Sequence, residues 1–226
     1  MFAGPFSSSI LKRAMDNNLL EIVSINIRDF GFGKHKLVDD TPYGGGVGML
    51  MRVDVIDNAI QAARCKTDNC KERVILLDAG GKKFTQQKAA DLSRYEHLIL
   101  ICPHYEGIDT RIHAFIDEEL SIGDYVLTGG EIPAMVLTDT VVRLLPNVLG
   151  KDVSSHDESF QLRSNSEELL LEYPQYTKPA IYQNEKVPEI LLSGHHQQIA
   201  AWKEKESKKR TIKNRPDLLE RLKRKR

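Results

Sequence analysis

Three short apolar runs, each closed by glycine or proline, constrain this chain more than any other feature. Val74-Ile75-Leu76-Leu77 runs into Asp78-Ala79-Gly80-Gly81, Leu98 to Cys102 is ended by Pro103, and Tyr125-Val126-Leu127 leads into Thr128-Gly129-Gly130. Runs this short, bounded by turn residues, read as buried strands. Gln86 to Tyr95 has helical character, Ile108 to Glu119 reads as helical and acidic at its end, and Ile132 to Leu145 carries apolar residues at helical spacing. Pro133 is tolerable in the first turn of that last helix. Strands alternating with helices predict an α/β fold with a largely parallel sheet. Ligands bind such sheets beyond the carboxyl ends of the strands, where all three marked turns fall.

The remainder of the chain differs in kind. Residues 147–188 are rich in Ser, Asn and Glu with little periodicity, and they predict an interdomain linker that is either functional or mobile. Beyond it, Ser193 can cap a helix running through His195-His196 to Lys209, with Ile199 and Trp202 on one face. Pro216 can start another, from Asp217 to Leu222. A length of 226 residues allows one or two domains. The expected organisation is a first domain over 1–146, a flexible linker over 147–188 and a small basic helical domain over 189–226.

The net charge of zero argues against a nucleic-acid partner until its distribution is considered. Lys203 to Arg226 holds 12 Lys and Arg against 4 Asp and Glu, leaving 20 basic and 28 acidic residues on the preceding 202. A basic end on an acidic body is the asymmetry of a polyanion-binding appendage, although a solvated helix with a tail has the same composition. With 41% hydrophobic and 28% charged residues, the composition is that of a soluble globular protein. No apolar run approaches a membrane span, and no signal peptide precedes the first structured segment. Cys65, Cys70 and Cys102 lack C-x-x-C spacing; Cys65 and Cys70 are a conceivable metal pair without a matching second pair, and reduced cytosolic thiols are expected.

Three motifs carry chemistry. "DDTPYGGGVGML", 39–50, concentrates four glycines near two carboxylates and Tyr43, and it fits neither a P-loop nor G-x-G-x-x-G after a strand. A flexible surface turn accounts for the glycines alone, whereas Asp39, Asp40 and Tyr43 add acceptors and an aromatic face. "CPHYEGID", 102–109, puts His104, Tyr105, Glu106 and Asp109 just past a buried strand, as surface residues or as ligand contacts. "SIGDYVLTGGEIPAM", 121–135, has the same layout, and its glycines allow backbone groups close to a ligand.

Together with "VPEILLSGHH", 187–196, these motifs resemble the bacterial tRNA (guanine-N1)-methyltransferases of the knotted SPOUT class, in order and over nearly the whole chain. The resemblance implies a SPOUT α/β knot, a deep trefoil knot in a largely parallel sheet, followed by a small α-helical C-terminal domain. It further implies a cytoplasmic homodimer that binds S-adenosylmethionine bent in the knot. The methyl goes to N1 of the guanine immediately 3′ of the anticodon in tRNA. Carried over, the cofactor loops are Leu76 to Gly81, Pro103 to Gly107 and Ile122 to Pro133. Within them the cofactor residues are Leu76, Leu77, Pro103, Tyr105, Glu106, Gly107, Ile122, Gly123, Asp124, Tyr125, Val126, Leu127, Gly129, Gly130 and Pro133. The glycine-rich stretch becomes a substrate loop contributing Asp40, Tyr43, Gly44 and Gly48. His196, Lys208, Lys209, Arg210 and Arg215 are expected to meet the tRNA from the basic domain.

Guanine N1 carries a proton at neutral pH, and its loss builds negative charge on O6. The reaction therefore needs a carboxylate base and a cationic partner at O6. The matching positions are the acid in "HDESF", 156–160, and Arg143. Counting back from Ser159-Phe160 makes Glu158 the base; Asp157 takes the role if the segment slides by one residue, and neither does if the pair is plain surface charge. Magnesium is a candidate further cofactor, with Glu106 as an acidic position but no ligand set that can be named. The rival readings are a non-catalytic RNA-binding protein of the same fold and a Rossmann-type nucleotide enzyme. The acid, Arg143 and the cofactor turns argue against the first, and the absent dinucleotide fingerprint against the second. The chain departs from the family pattern at three places. It starts near the end of the usual FPE-x-F turn, so the expectation is that either the start is misassigned or the first family strand is missing. Pro103 stands for a common glycine, and Gln175 for a frequent histidine.

Overall fold

The computed structural model describes residues 1–149, 158–160 and 169–219, and the chain divides into two compact units, Met1–Gly150 and Lys151–Arg226. In the first unit, helices α1 (Ala3–Phe6) and α2 (Ser9–Asp16) precede an antiparallel pair of short strands, β1 (Asp39–Asp40) and β2 (Leu50–Met51). Helix α3 (Val53–Ala63), strand β3 (Glu72–Lys83), helix α4 (Gln86–Leu92), strand β4 (His97–Ile101), strand β5 (Glu118–Ser121) and helix α5 (Glu131–Val142) follow. The main sheet has the order β4-β3-β5, and both pairings are parallel.

Alternation along β3 explains the layering. Val74 and Leu76 join a core with Ile56 and Ile60 of α3, while Ile75 and Leu77 join Leu92 of α4 and Leu137 of α5 on the other face. Both faces are covered, as a parallel sheet requires. Thr85 starts α4 by accepting a hydrogen bond from the Lys88 backbone N–H at 3.3 Å. Phe6, Leu11 and Ala14 of α1 and α2 pack in a third cluster with Val142.

The third strand is not where the apolar run placed it. Residues 125–127 are loop, and the strand is Glu118–Ser121, which begins within the stretch 108–119 that was expected to be helical. Only Thr110–Ala114 of that stretch turns, as a 3₁₀-helix opened by the Asp109 carboxylate accepting from the Arg111 N–H at 3.0 Å. Glutamates are depleted in strands, but here Glu118 meets Arg73 at 3.2 Å and also Lys88, and Glu119 meets His113 at 3.0 Å. The partners of Glu118 lie 30 or more residues away in sequence, so the run of acids hid the strand. Residues 78–81 also do not end β3. They form a bulge, with Leu120 opposite both Leu77 and Lys82, after which the strand continues. A Cβ on Gly81 would lie 2.6 Å from the Leu120 nitrogen, so only glycine permits that approach.

In the second unit, helix α7 runs His196–Asn214, after a short α6 (Glu189–Leu192). Ser193 does not cap α7; it ends α6, donating to the Ile190 carbonyl at 2.8 Å and accepting from the His195 N–H at 3.2 Å. Residues 217–219 are helical, and the rest of the helix expected to Leu222 lies outside the described residues. The stretch expected as a linker contains a hairpin, β6 (Ile181–Tyr182) and β7 (Glu185–Lys186), turned by Gln183 and Asn184 at φ +46° and +67°. Two successive left-handed residues match the twist of a two-residue hairpin.

Candidate active site

The carboxyl ends of β4 and β5 and the bulge of β3 open into one cavity of about 220 Å³. Its walls come from three places: Leu77, Asp78 and Ala79 after β3's apolar run; Pro103 to Gly107 after β4; and Leu120 to Gly123 with Tyr125 to Gly130 and Pro133 around the end of β5. The sheet-edge rule therefore brings together the turns that sequence singled out. Of the fifteen expected cofactor residues, thirteen line this cavity. Leu76 instead packs in the core, and the Asp124 side chain is 97% exposed beside Lys83. Asp78, Ala79 and Thr128 lay inside the expected loops without being singled out as cofactor residues, and His104, weighed as a ligand contact, also lines the cavity. Leu120 and Ser121 lay outside them, because the strand they end was sought at 125–127.

Backbone closeness, rather than side-chain bulk, shapes the walls. Gly130 N–H donates to the Pro103 carbonyl at 2.9 Å, tying the third turn to the second. A Cβ on Gly130 would lie 2.5 Å from Cys102 Cα and 2.6 Å from Pro103 Cδ, and one on Gly129 would meet Glu131 Oε2 at 2.6 Å. Tyr105 is held at φ +60°, a conformation that costs a non-glycine residue about 1–3 kcal/mol and is characteristic of ligand clamps. His104 Nε2 and Glu131 Oε1 are 2.5 Å apart, joining the second turn to the first turn of α5. The hydroxyl of Ser121, a buried residue, donates to the Gly123 carbonyl at 3.0 Å and accepts from the Gly123 N–H at 3.2 Å. Val126 is 88% exposed and Tyr105 and Tyr125 about half exposed, an apolar rim of the kind that marks a binding site. Burial, and then the charge of Glu131, pushes the Cys102 thiol up to about 12, so it stays neutral behind the second turn.

The glycine-rich stretch is a second, separate feature. None of residues 39–50 lines the cavity. Its stem is the β1–β2 pair, in which Arg52 reaches Asp40 at 3.3 Å and Asp54 at 2.7 Å. Its far side is laced to the second turn: Glu106 N–H donates to the Met49 carbonyl at 3.2 Å, and Met51 N–H to the Gly107 carbonyl at 2.9 Å. Between these anchors the tip stands in solvent, with Tyr43 99% exposed. Gly44, Gly45, Gly46 and Gly48 all adopt φ between +80° and +136°.

Arg143 closes the C-terminus of α5. Glu158 belongs to the second unit, where its neighbours are fixed: Ser159 Oγ accepts from the Glu172 N–H at 2.9 Å and Phe160 N–H donates to the Leu170 carbonyl at 3.0 Å. Asp157 lies outside the described residues. The expected tRNA contacts sit on and after α7. His196 is exposed at its start. Lys208 pairs with Glu204 at 3.1 Å, Lys209 with Glu206 at 3.4 Å and Arg215 with Asp217 at 2.7 Å, while Arg210 donates to the Glu172 carbonyl at 3.1 Å.

Glu106 belongs to no group of three potential metal ligands among the described residues; the group found is Cys65, Cys70 and His97. Cys65 and Cys70, expected as reduced thiols, are paired as a disulfide with Cα atoms 6.4 Å apart. Among the described residues no helix is long and apolar enough to cross a membrane.

Comparison with known proteins accounts for the shared layout. The family described as tRNA (Guanine-1)-methyltransferase TrmD matches residues 1–221. A tRNA (guanine-N(1)-)-methyltransferase of Pelotomaculum thermopropionicum is 53% identical over 97% of this chain and 85% of its own length. Proteins of the same description from Citrifermentans bemidjiense and Geobacillus kaustophilus are 52% and 51% identical, each over 97% of this chain and over 86% and 87% of their own lengths. The chain belongs to the tRNA (Guanine-1)-methyltransferase TrmD family.

Proposed function

We propose that this protein is an S-adenosylmethionine-dependent methyltransferase that methylates N1 of the guanine immediately 3′ of the anticodon in tRNA. In this reading it is a cytoplasmic homodimer, each subunit carrying a deep trefoil knot over 1–146, with a linker over 147–188 and a basic tRNA-binding domain over 189–226. The observation that carries the reading is the convergence of three strand-end turns on one cavity in a chain of this family.

The cavity suits the cofactor chemically. Leu77, Leu120, Leu127 and Pro133 offer apolar walls for an adenine, and bare backbone at Gly129 and Gly130 can approach its polar edge. Asp78 and Glu106 put carboxylates where a cationic ligand would be favoured. When bound, S-adenosylmethionine supplies a methyl already activated by a positive sulfonium. The turns hold and orient it, and such alignment is worth several kcal/mol of barrier. Asp40, Tyr43, Gly44 and Gly48 hold the target guanosine, which gives the exposed glycine tip its purpose. Arg143 faces O6 with its cation as N1 loses its proton, and Glu158 accepts that proton. The anchoring of Ser159 and Phe160 supports Glu158 over Asp157, because it fixes the register of the residue just before them. His196, Lys208, Lys209, Arg210 and Arg215 bind the tRNA, exchanging intramolecular partners for phosphates. Magnesium, with Glu106 near it, is the further cofactor proposed.

Transfer of labelled methyl from S-adenosylmethionine to tRNA bearing guanine at that position tests the reading; cofactor binding without transfer would leave a non-catalytic RNA-binding protein. In single-turnover assays Glu158→Gln should slow methylation by roughly a hundredfold or more with cofactor affinity retained. If Asp157→Asn is the crippled variant and Glu158→Gln is near normal, the assignment of the base is wrong.

A further inference from the structure

The ends of β3 and β4 opposite the cavity carry a cluster that methyl transfer does not use. Cys65 follows α3, Cys70 precedes β3, and His97 opens β4. One donor atom from each lies within 4.8 Å of the others. The two cysteines are separated by four residues, a spacing within the range of paired zinc ligands. His97 comes from a rigid position, the register partner of Glu72 across the parallel β3–β4 pair.

Glu72 organises the group. Its Oε2 lies 3.2 Å from His97 Nδ1 and accepts the Cys65 backbone N–H at 2.7 Å, while Oε1 takes Arg64 at 2.5 Å. With this carboxylate against Nδ1, Nε2 is the ring nitrogen left to serve as the ligand. Metal-binding histidines are commonly oriented in this way.

We propose that the reduced form of this protein binds one zinc ion through Cys65, Cys70 and His97, with Glu72 as the positioning residue and water at the fourth place. Two molecules of a small thiol reduce the Cys65–Cys70 disulfide, leaving as one disulfide and giving two protein thiols. Zinc then displaces both thiol protons to solvent. The site is independent of the methyl-transfer reading, since none of its residues lines the cavity or the glycine-rich loop.

The test is anaerobic titration of the reduced full-length protein with Co²⁺ and then Zn²⁺. One equivalent of Co²⁺ should give a sulfur-to-cobalt charge-transfer band and the visible bands of a tetrahedral site, both erased by Zn²⁺. Cys70→Ser should abolish most of the charge-transfer band, and Glu72→Gln should weaken metal affinity about 10- to 100-fold. X-ray absorption of the unmodified zinc-loaded protein should show two sulfurs at about 2.3 Å and nitrogen at about 2.0 Å. A wild-type protein without the charge-transfer band, a band that survives Cys70→Ser, or a zinc shell of nitrogen and oxygen alone would overturn the site.

Discussion

Two glycine-rich regions of the first unit use the same residue for opposite ends. At Gly129 and Gly130 the backbone is wedged against Cys102, Pro103, His104 and Glu131, and a Cβ has nowhere to go. At Gly44 and Gly45 nothing lies within 4 Å of where a Cβ would be, yet φ is +86° and +80°. The first pair is glycine for lack of space, the second for backbone conformation. Crowding gives a preformed cradle for a small ligand. Freedom gives an exposed arm whose stem is pinned by Arg52 and whose far side is tied to residues 106 and 107. Gly48 is where the regions meet: it sits at φ +98°, and a Cβ there would run into the Glu106 side chain.

Substitutions at these glycines can break that contrast. Gly130→Ala should do most damage, since a backbone collision of this kind costs about 1–3 kcal/mol. Cofactor affinity measured by calorimetry should fall roughly ten- to a hundredfold. Gly48→Ala should come next, because it adds left-handed strain of about 1–2 kcal/mol and displaces Glu106. Steady-state kinetics should show KM raised for both S-adenosylmethionine and tRNA, the mark of a residue shared by the two regions. Gly45→Ala should be mildest. It meets nothing, so only the left-handed cost of about 1–2 kcal/mol remains. KM for tRNA should rise a few-fold while cofactor affinity stays at the wild-type value. Equal loss of cofactor affinity in Gly130→Ala and Gly45→Ala would erase the distinction.

Much of the cradle was legible in the sequence because turn residues follow buried strands at fixed places. Val74 to Leu77 and Leu98 to Cys102 could be found locally, and the sheet rule then located the site. The third strand could not. Glu118 and Glu119 read as the end of a helix until Arg73 and Lys88, distant in sequence, pair with the first and His113 with the second. Tyr125 to Leu127 read as a strand because apolar residues of a ligand rim look like core residues when exposure is unknown. Ser121 was missed for the same reason, as the strand it ends was placed elsewhere. The cluster of Cys65, Cys70 and His97 was half visible: two cysteines could be counted, but the histidine arrives only through the β3–β4 register. Arg143 and Glu158 came from family resemblance, since no spacing in the chain links an arginine at the end of α5 to an acid before Ser159.

Hydrogen–deuterium exchange on the full chain, alone, with S-adenosylmethionine and then with tRNA added, tests the contrast most directly. Cofactor alone should slow exchange in 103–107 and 120–130 and leave the tip at 43–47 as fast as in the free protein; tRNA should then protect the tip. Protection of 43–47 by cofactor alone, with 103–107 and 120–130 unchanged, would contradict the division into cofactor cradle and substrate loop.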